Sequence, residues 1–229
     1  MISVVLRFQI ATRQLTDYHT AYLHLLQMLQ RFPGRNTWYC AVNTPGQMPL
    51  RLQHTHAVLH RLRVRAELVG TRTFGVSLLN QETVERRPGL ITIDYSPAFG
   101  YLTVAVHRPA DVQPNPTQWI ANILLAVLHS GLGTRYAVAD VYDALNGRFQ
   151  NYHDACASYP GRQCLGWMAY VRKAVSAAEL PRAALILPAP GGSIVVSVDG
   201  AFNLADRKHV RTANTLELQM YELGLLPVV

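Results

Sequence analysis

The order of hydrophobic and polar residues predicts a strand followed by a helix at the start of the chain. Residues 3–10 alternate, so every second side chain falls on one face of a strand, and that face is apolar. Its members are Val4, Leu6, Phe8 and Ile10. In residues 18–29 the apolar positions recur every three or four residues, which is typical of an amphipathic helix. Pro33 and Gly34 then end the helix.

Three short apolar runs in the middle of the chain predict an antiparallel meander. They occupy residues 74–79, 90–95 and 101–107, and turn-forming Pro, Gly and Ser residues separate them. The segment before the meander is ambiguous. Residues 54–62 have the spacing of a short helix, whereas residues 61–69 alternate like a strand, and the sequence leaves both interpretations open.

The second half of the chain contains two further predicted helices with identifiable ends. One begins at the N-cap Asn115, because Pro116 stands at the first helical position, where proline is best tolerated. The other begins near Asn203 or Asp206. Gly224 is well placed to end this last helix as the C′ residue, because glycine adopts the left-handed conformation that such a position needs.

A nearly all-apolar stretch at residues 164–171 predicts the central strand of the core. It is short for a helix, it follows a Pro-Gly turn, and charged residues come after it. Gly166 leaves room for the large indole of Trp167, and Tyr170 adds a second ring. We expect these three residues, with Gly224 at the end of the last helix, to form part of the structural core.

Together these elements predict an α+β fold with a mixed, largely antiparallel sheet packed by a few amphipathic helices. Residues 185–188 and 193–198 have the pattern of further strands. The pattern of residues 136–142 is compatible with a strand or with a short helix. The chain, residues 1–229, is expected to be a single domain; the loop at 109–116 is the one place where two subdomains could meet.

Composition narrows the function class without identifying it. No apolar run approaches the roughly 20 residues of a membrane span, and the N-terminus leads directly into a strand, so we expect a cytoplasmic protein with no membrane partner. Three cysteines without a CxxC pair indicate free thiols. The formal net charge of +7 comes from arginine, which is compatible with a nucleic-acid surface or with base-composition bias.

Candidate chemistry is sparse. His54, His56 and His60 could contribute to a metal site, but no acidic or cysteine residue accompanies them. Asp140 and Asp143, three residues apart, could serve as a carboxylate pair on a helix. No phosphate-binding loop or nucleophile motif is present in the sequence. We therefore expect no catalytic residues, no metal, no cofactor and no small-molecule substrate.

Four segments in the C-terminal third carry a family resemblance. They are CLGWMAYV at 164–171, GSIVVSVDGAFN at 192–203, the stretch 209–217, and GLLP at 224–227. In this order they resemble the immunity protein 52 family of bacterial polymorphic-toxin systems. The resemblance implies a protein that binds and neutralises a cognate toxic nuclease of restriction-endonuclease fold, in a type VI secretion or related system. The resemblance does not assign a catalytic role to any residue of this chain.

An inhibitor of a basic nuclease cleft is expected to present carboxylates and aromatic anchors. The candidates for this partner-binding surface are Asp140, Tyr142, Asp143, Tyr152 and Asp154. A contact away from the cleft, not driven by charge, is the other way in which such an inhibitor could act. Two other functions stay open: a nucleic-acid-binding protein using the arginines between Arg31 and Arg87, and a metal-dependent hydrolase using the histidines or the Asp140/Asp143 pair.

Overall fold

Strands dominate the architecture. The computed structural model describes residues 3–34, 37–41, 47–68, 70–83, 85–145 and 148–228, and within these ranges it contains eleven strands and five α-helices. The strands are β1 (Ser3–Gln9), β2 (Tyr39–Cys40), β3 (Leu50–Arg51), β4 (Val76–Leu79), β5 (Ile91–Ser96), β6 (Tyr101–His107), β7 (Tyr136–Leu145), β8 (Arg148–Asn151), β9 (Met168–Val171), β10 (Leu185–Ala189) and β11 (Gly192–Val196). The helices are α1 (Tyr18–Leu29), α2 (Thr55–Leu68), α3 (Pro116–Leu128), α4 (Tyr152–Cys156) and α5 (Arg207–Glu222).

The strands form one sheet in the order β10-β11-β9-β7-β1-β6-β5-β4-β2-β3, with β8 paired to β7. Every pairing between these named strands is antiparallel. The predicted α+β class with a largely antiparallel sheet is confirmed, as is the meander, which is β4-β5-β6. Residues 136–142 belong to a strand, β7. Both halves of the chain contribute to the sheet, because β1 lies between β6 and β7; a boundary near 109–116 stays a prediction.

One face of the sheet is buried by the helices of the first half of the chain. The alternation in β1 is observed as predicted, since Val4, Leu6 and Phe8 are buried and the residues between them are partly exposed. Helix α1 lies on this face: the Tyr18 and Phe74 rings are 5.8 Å apart, and Phe74 in turn packs edge-to-face on Tyr95. We call this side of the sheet the helical face.

The ambiguous segment before the meander is a helix over its described residues. Its buried side chains are Val58, Leu59, Leu62 and Ala66, a spacing that follows one helical stripe. The interpretation of residues 61–69 as a strand is therefore wrong, and Leu68 shows why: it continues the apolar alternation in sequence but lies exposed on the outer side of α2. Val69 lies outside the described residues.

The glycine–tryptophan stretch is buried, as predicted, but it is not at the centre of the sheet. Strand β9 is third from one end, between β11 and β7. Trp167 is fully buried and its indole N–H donates to the Val198 carbonyl at 2.9 Å. Gly166 has φ +58°, and an added Cβ would lie 2.7 Å from the Ala139 carbonyl oxygen. Glycine is required there because the chain turns against a neighbouring backbone.

The predicted helix ends are confirmed. The Asn115 side chain accepts from the Gln118 N–H at 3.0 Å, and Asp206 caps α5 by accepting from the Lys208 N–H. Gly224 has φ +66°, and the Leu225 N–H donates to the Met220 carbonyl at 2.8 Å, which is the six-to-one bond of a Schellman motif. Gly224 itself is exposed, so its role is to end the helix and not to fill the core. No described helix combines the length and the hydrophobicity that a membrane crossing requires.

Candidate functional site

The second face of the sheet is covered over one half only. Strand register places Tyr136, Val138 and Asp140 of β7 on this face, and all three are buried. Their cover comes from α5 and the segment 152–166, since the Tyr136 hydroxyl donates to the Cys164 carbonyl at 2.8 Å. On β1, β6 and β5 the side chains of the same face are partly or fully exposed.

Glu217 of α5 holds the covering segment in place. Its side chain is buried, and its two carboxylate oxygens accept from the N–H groups of Leu165 and Ser158, each at 2.9 Å. Next to it the Tyr152 hydroxyl donates to the Asn214 side chain at 2.6 Å. Burial is the largest cause that raises the pKa of Tyr152, so the phenol stays protonated. Glu217 is not among the residues predicted from the sequence, although it falls on the apolar stripe of α5, four residues after Ala213 and three before Met220, and an acid at such a position is a signal that could have identified it.

Asp140 lies in the interior and not in a surface patch. Its side chain accepts from the guanidinium of Arg7 and from the N–H groups of Tyr152 and His153, at 3.1 and 3.3 Å. Burial raises the pKa of Asp140, and the charge of Arg7 opposes that rise. Asp140 and Tyr152 are both 0 % exposed, so neither lies on the surface of the free chain, and their contact with a partner stays a prediction. The exposed member of the ion pair is Arg7.

The other predicted acidic residues do not gather around Tyr142. Asp143 follows Tyr142 in β7, and successive strand residues point to opposite faces. Asp154 is exposed on α4, where hydrogen bonds from the side chains of His153 and Asn151 lower its pKa. Asp140 and Asp143 lie on a strand, so they do not form the carboxylate pair that a helix would have produced. The predicted acidic patch is therefore not assembled.

The uncovered half of the second face consists of partly and fully exposed side chains of β1, β6 and β5. We call it the open face. Pairing aligns Val5, Ala105 and Thr92 across three neighbouring strands, and in the next row Arg7, Thr103 and Asp94. Asp94 is exposed and accepts from the Ser77 hydroxyl at 2.6 Å.

Two aromatic pairs stand at opposite ends of the open face. Phe99 and Tyr101 stack with their centroids 6.4 Å apart, and they are 78 % and 45 % exposed. Tyr142 and Phe149 lie 5.5 Å apart at the β7–β8 hairpin, and Phe149 is 59 % exposed. The seven residues of β1 run from Ser3, opposite Tyr142, to Gln9, opposite Tyr101, so the two pairs are about 20 Å apart along the strand. Of the five predicted partner-binding residues, Tyr142 alone lies on this face.

Each aromatic pair borders a groove. The groove beside Phe99 and Tyr101 has a volume of about 410 Å³ and lies between the sheet and Arg65 of α2. The groove beside Tyr142 and Phe149 has about 400 Å³, with Arg86 and His107 on its lining. Exposed aromatic side chains over shallow grooves are typical of surfaces that bind another protein.

The structure gives little support to the two alternative functions, a metal-dependent hydrolase and a nucleic-acid-binding protein. His56 and His60 are exposed on α2, and the described residues contain no group of three or more His, Cys, Asp or Glu side chains that could hold a metal ion. Several of the arginines between 31 and 87 bind their own chain: Arg61 donates to the Met48 carbonyl, and Arg63 and Arg51 lie over the Tyr18 and Tyr39 rings. Cys40 and Cys164 are buried free thiols, as predicted, while Cys156 is half-buried.

Comparisons with known proteins identify a structural neighbour but no family. No family model matches the chain, and no curated protein matches it. Among solved structures, the chain is similar to the Pseudomonas aeruginosa T6SS protein PA0821, with a TM-score of 0.47 and 11 % sequence identity. The alignment covers 95 % of this chain and 72 % of that one. A similarity of this size carries no functional argument, so membership of the immunity family stays a prediction from the four C-terminal segments.

Proposed function

We propose that this chain is an immunity protein that binds a cognate toxic nuclease of a type VI secretion or related system and so protects the producing cell. In this proposal the chain acts by binding alone, in the cytoplasm, without catalysis, cofactor or metal. The open face is the observation that carries the proposal. The resemblance of the C-terminal segments suggests the class of partner.

The open face has the properties that protein recognition requires. Its strands β1, β6 and β5 each pair with a neighbour on both sides, so the backbone of this face is rigid before binding. Binding therefore costs little conformational entropy. Four aromatic rings at its ends offer large apolar areas at low conformational cost. A partner spanning the roughly 20 Å between the pairs would cover the sheet between them.

Inhibition by this face is steric. A DNA-like acidic surface is not part of the proposal, because Asp140 is buried under Arg7 and the net charge of the chain is +7. We expect the toxin to be blocked because the sheet face occupies or distorts its cleft.

Co-expression with the toxin encoded by the adjacent gene tests the proposal. Cells that carry the wild-type chain should survive, and the two proteins should purify as a complex. Phe99→Ser and Phe149→Ser, combined in one variant, should abolish protection. The matched control is Leu68→Ser, which removes a side chain of similar exposure from α2 and should protect as the wild type does.

Cell death with the wild-type chain, and no complex, would refute the immunity function. Full protection by the double aromatic variant would instead show that the toxin binds elsewhere on the molecule.

A further inference from the structure

The groove beside Tyr142 and Phe149 is the most chemically specific part of the open face. Val5, Ala105 and Thr92 form its floor in one row across the strands, and Leu79 bounds the far side. At about 400 Å³ the groove holds one or two side chains of a partner, and it is too small for a nucleic-acid duplex.

The charges on this groove are positive. Arg86 is exposed on its rim, and the half-buried His107 also lines the groove. Burial, and then the charges of Arg108 and Arg86, lower the pKa of His107, so this imidazole is neutral near pH 7 and Arg86 supplies the charge. No carboxylate occurs among the described residues that line the groove.

A second cation approaches from the other side. The guanidinium of Arg7 donates to the Tyr142 hydroxyl at 3.2 Å, and it is held by Asp140, whose carboxylate is buried. The surface next to the aromatic wall therefore presents the cation of this ion pair and hides the anion. An arginine fixed by a buried acid is oriented before a partner arrives.

From this arrangement we infer that the groove binds a carboxylate side chain of the toxin, with Arg86 as its main ionic contact and Tyr142 and Phe149 as the apolar wall. The inference rests on the proposed function. An arginine can bind a carboxylate through two parallel N–H···O bonds, and the apolar wall strengthens that pair by excluding water. A nuclease supplies such a group naturally, because carboxylates hold its divalent cation.

A phosphate backbone fits this groove less well than a carboxylate does. Binding to DNA requires a row of cations that neutralises several phosphates, whereas Arg86 is the one arginine among the described residues of the lining. Asp94, exposed on the same face, would repel a nucleic-acid strand that ran along the sheet.

The test is the affinity of purified Arg86 variants for a catalytically inactive form of the toxin from the adjacent gene. Arg86→Gln should weaken binding at least tenfold, and Arg86→Lys should recover part of the loss, because it keeps the charge but not the paired donors. The control is Arg211→Gln on the exposed side of α5, which should stay within twofold of the wild type. Unchanged urea unfolding of all variants establishes that the fold is intact.

The outcomes separate the two proposals. If the wild-type chain does not bind the toxin, the immunity function fails and this inference fails with it. If the wild type binds and Arg86→Gln stays within twofold, the inference alone is overturned. Retention of a DNA duplex by the wild-type chain that Arg86→Gln abolishes would also overturn it, in favour of a phosphate site.

Discussion

At the scale of single residues, the apolar core is visible in the sequence but the buried polar groups are not. Trp167 and Gly166 are predictable, because a glycine beside an indole in an apolar run is typical of a tightly packed interior. Asp140 is expected on the surface, as most aspartates are. Its partner Arg7 lies 133 positions away and becomes its neighbour only when β1 pairs with β7. No local pattern shows such a contact.

Gly166→Ala should destabilise the protein by about 3 kcal/mol, because the added methyl group meets the Ala139 carbonyl oxygen in a left-handed backbone conformation. Gly224→Ala is the matched control. Its φ is also positive but nothing lies within 4 Å of the added Cβ, so the cost should be about 1 kcal/mol. Urea unfolding measures both values; equal losses would show that the contact with Ala139 is not decisive.

Asp140→Ala should lower the free energy of unfolding by about 3 kcal/mol. It leaves the N–H groups of Tyr152 and His153 without their acceptor and Arg7 without its counter-charge. Asp140→Asn, which keeps one oxygen in the same position, should cost less. Denaturant titration of both variants gives the comparison, and an Asp140→Ala loss below about 1 kcal/mol would contradict the description of this interior network.

At the scale of elements, hydrophobic periodicity predicts helices and strands correctly where one side of the segment is buried. It predicts α1, α3, α5 and the β4-β5-β6 meander. It is ambiguous for α2, because Val64 and Leu68 are apolar and yet exposed, so a helix carries the pattern of a strand. Periodicity places Glu217 on the buried stripe of α5, but it does not show that the carboxylate binds the backbone N–H groups of Leu165 and Ser158.

Glu217→Ala should loosen the segment 152–166 from α5. Two backbone N–H groups, those of Leu165 and Ser158, lose their acceptor, and the loss of stability should be about 3 kcal/mol. Amide exchange at Leu165 should become faster than in the wild type. Glu222→Ala, on the exposed side of the same helix, should change stability by less than about 0.5 kcal/mol. Unchanged exchange at Leu165 would mean that other contacts hold the segment.

At the scale of the whole molecule, the decisive feature is that α5 and its attached segment cover one half of the second sheet face and leave the other half open. The open face follows from strand order, which no sequence pattern predicts: β1 lies beside β6 and β7, and residues from four separate parts of the chain share its surface. For this reason the sequence predicts Tyr142 as a contact residue but not Phe99, Tyr101 or Phe149.

Hydrogen–deuterium exchange of the chain, free and bound to the adjacent-gene toxin, tests the central claim most directly. If the toxin binds the open face, backbone amide exchange should become slower on binding in the β5–β6 turn at residues 97–101 and in β8. Exchange in α2 and α5 should not change. Protection confined to α2 or α5, with those two hairpins unaffected, would contradict it.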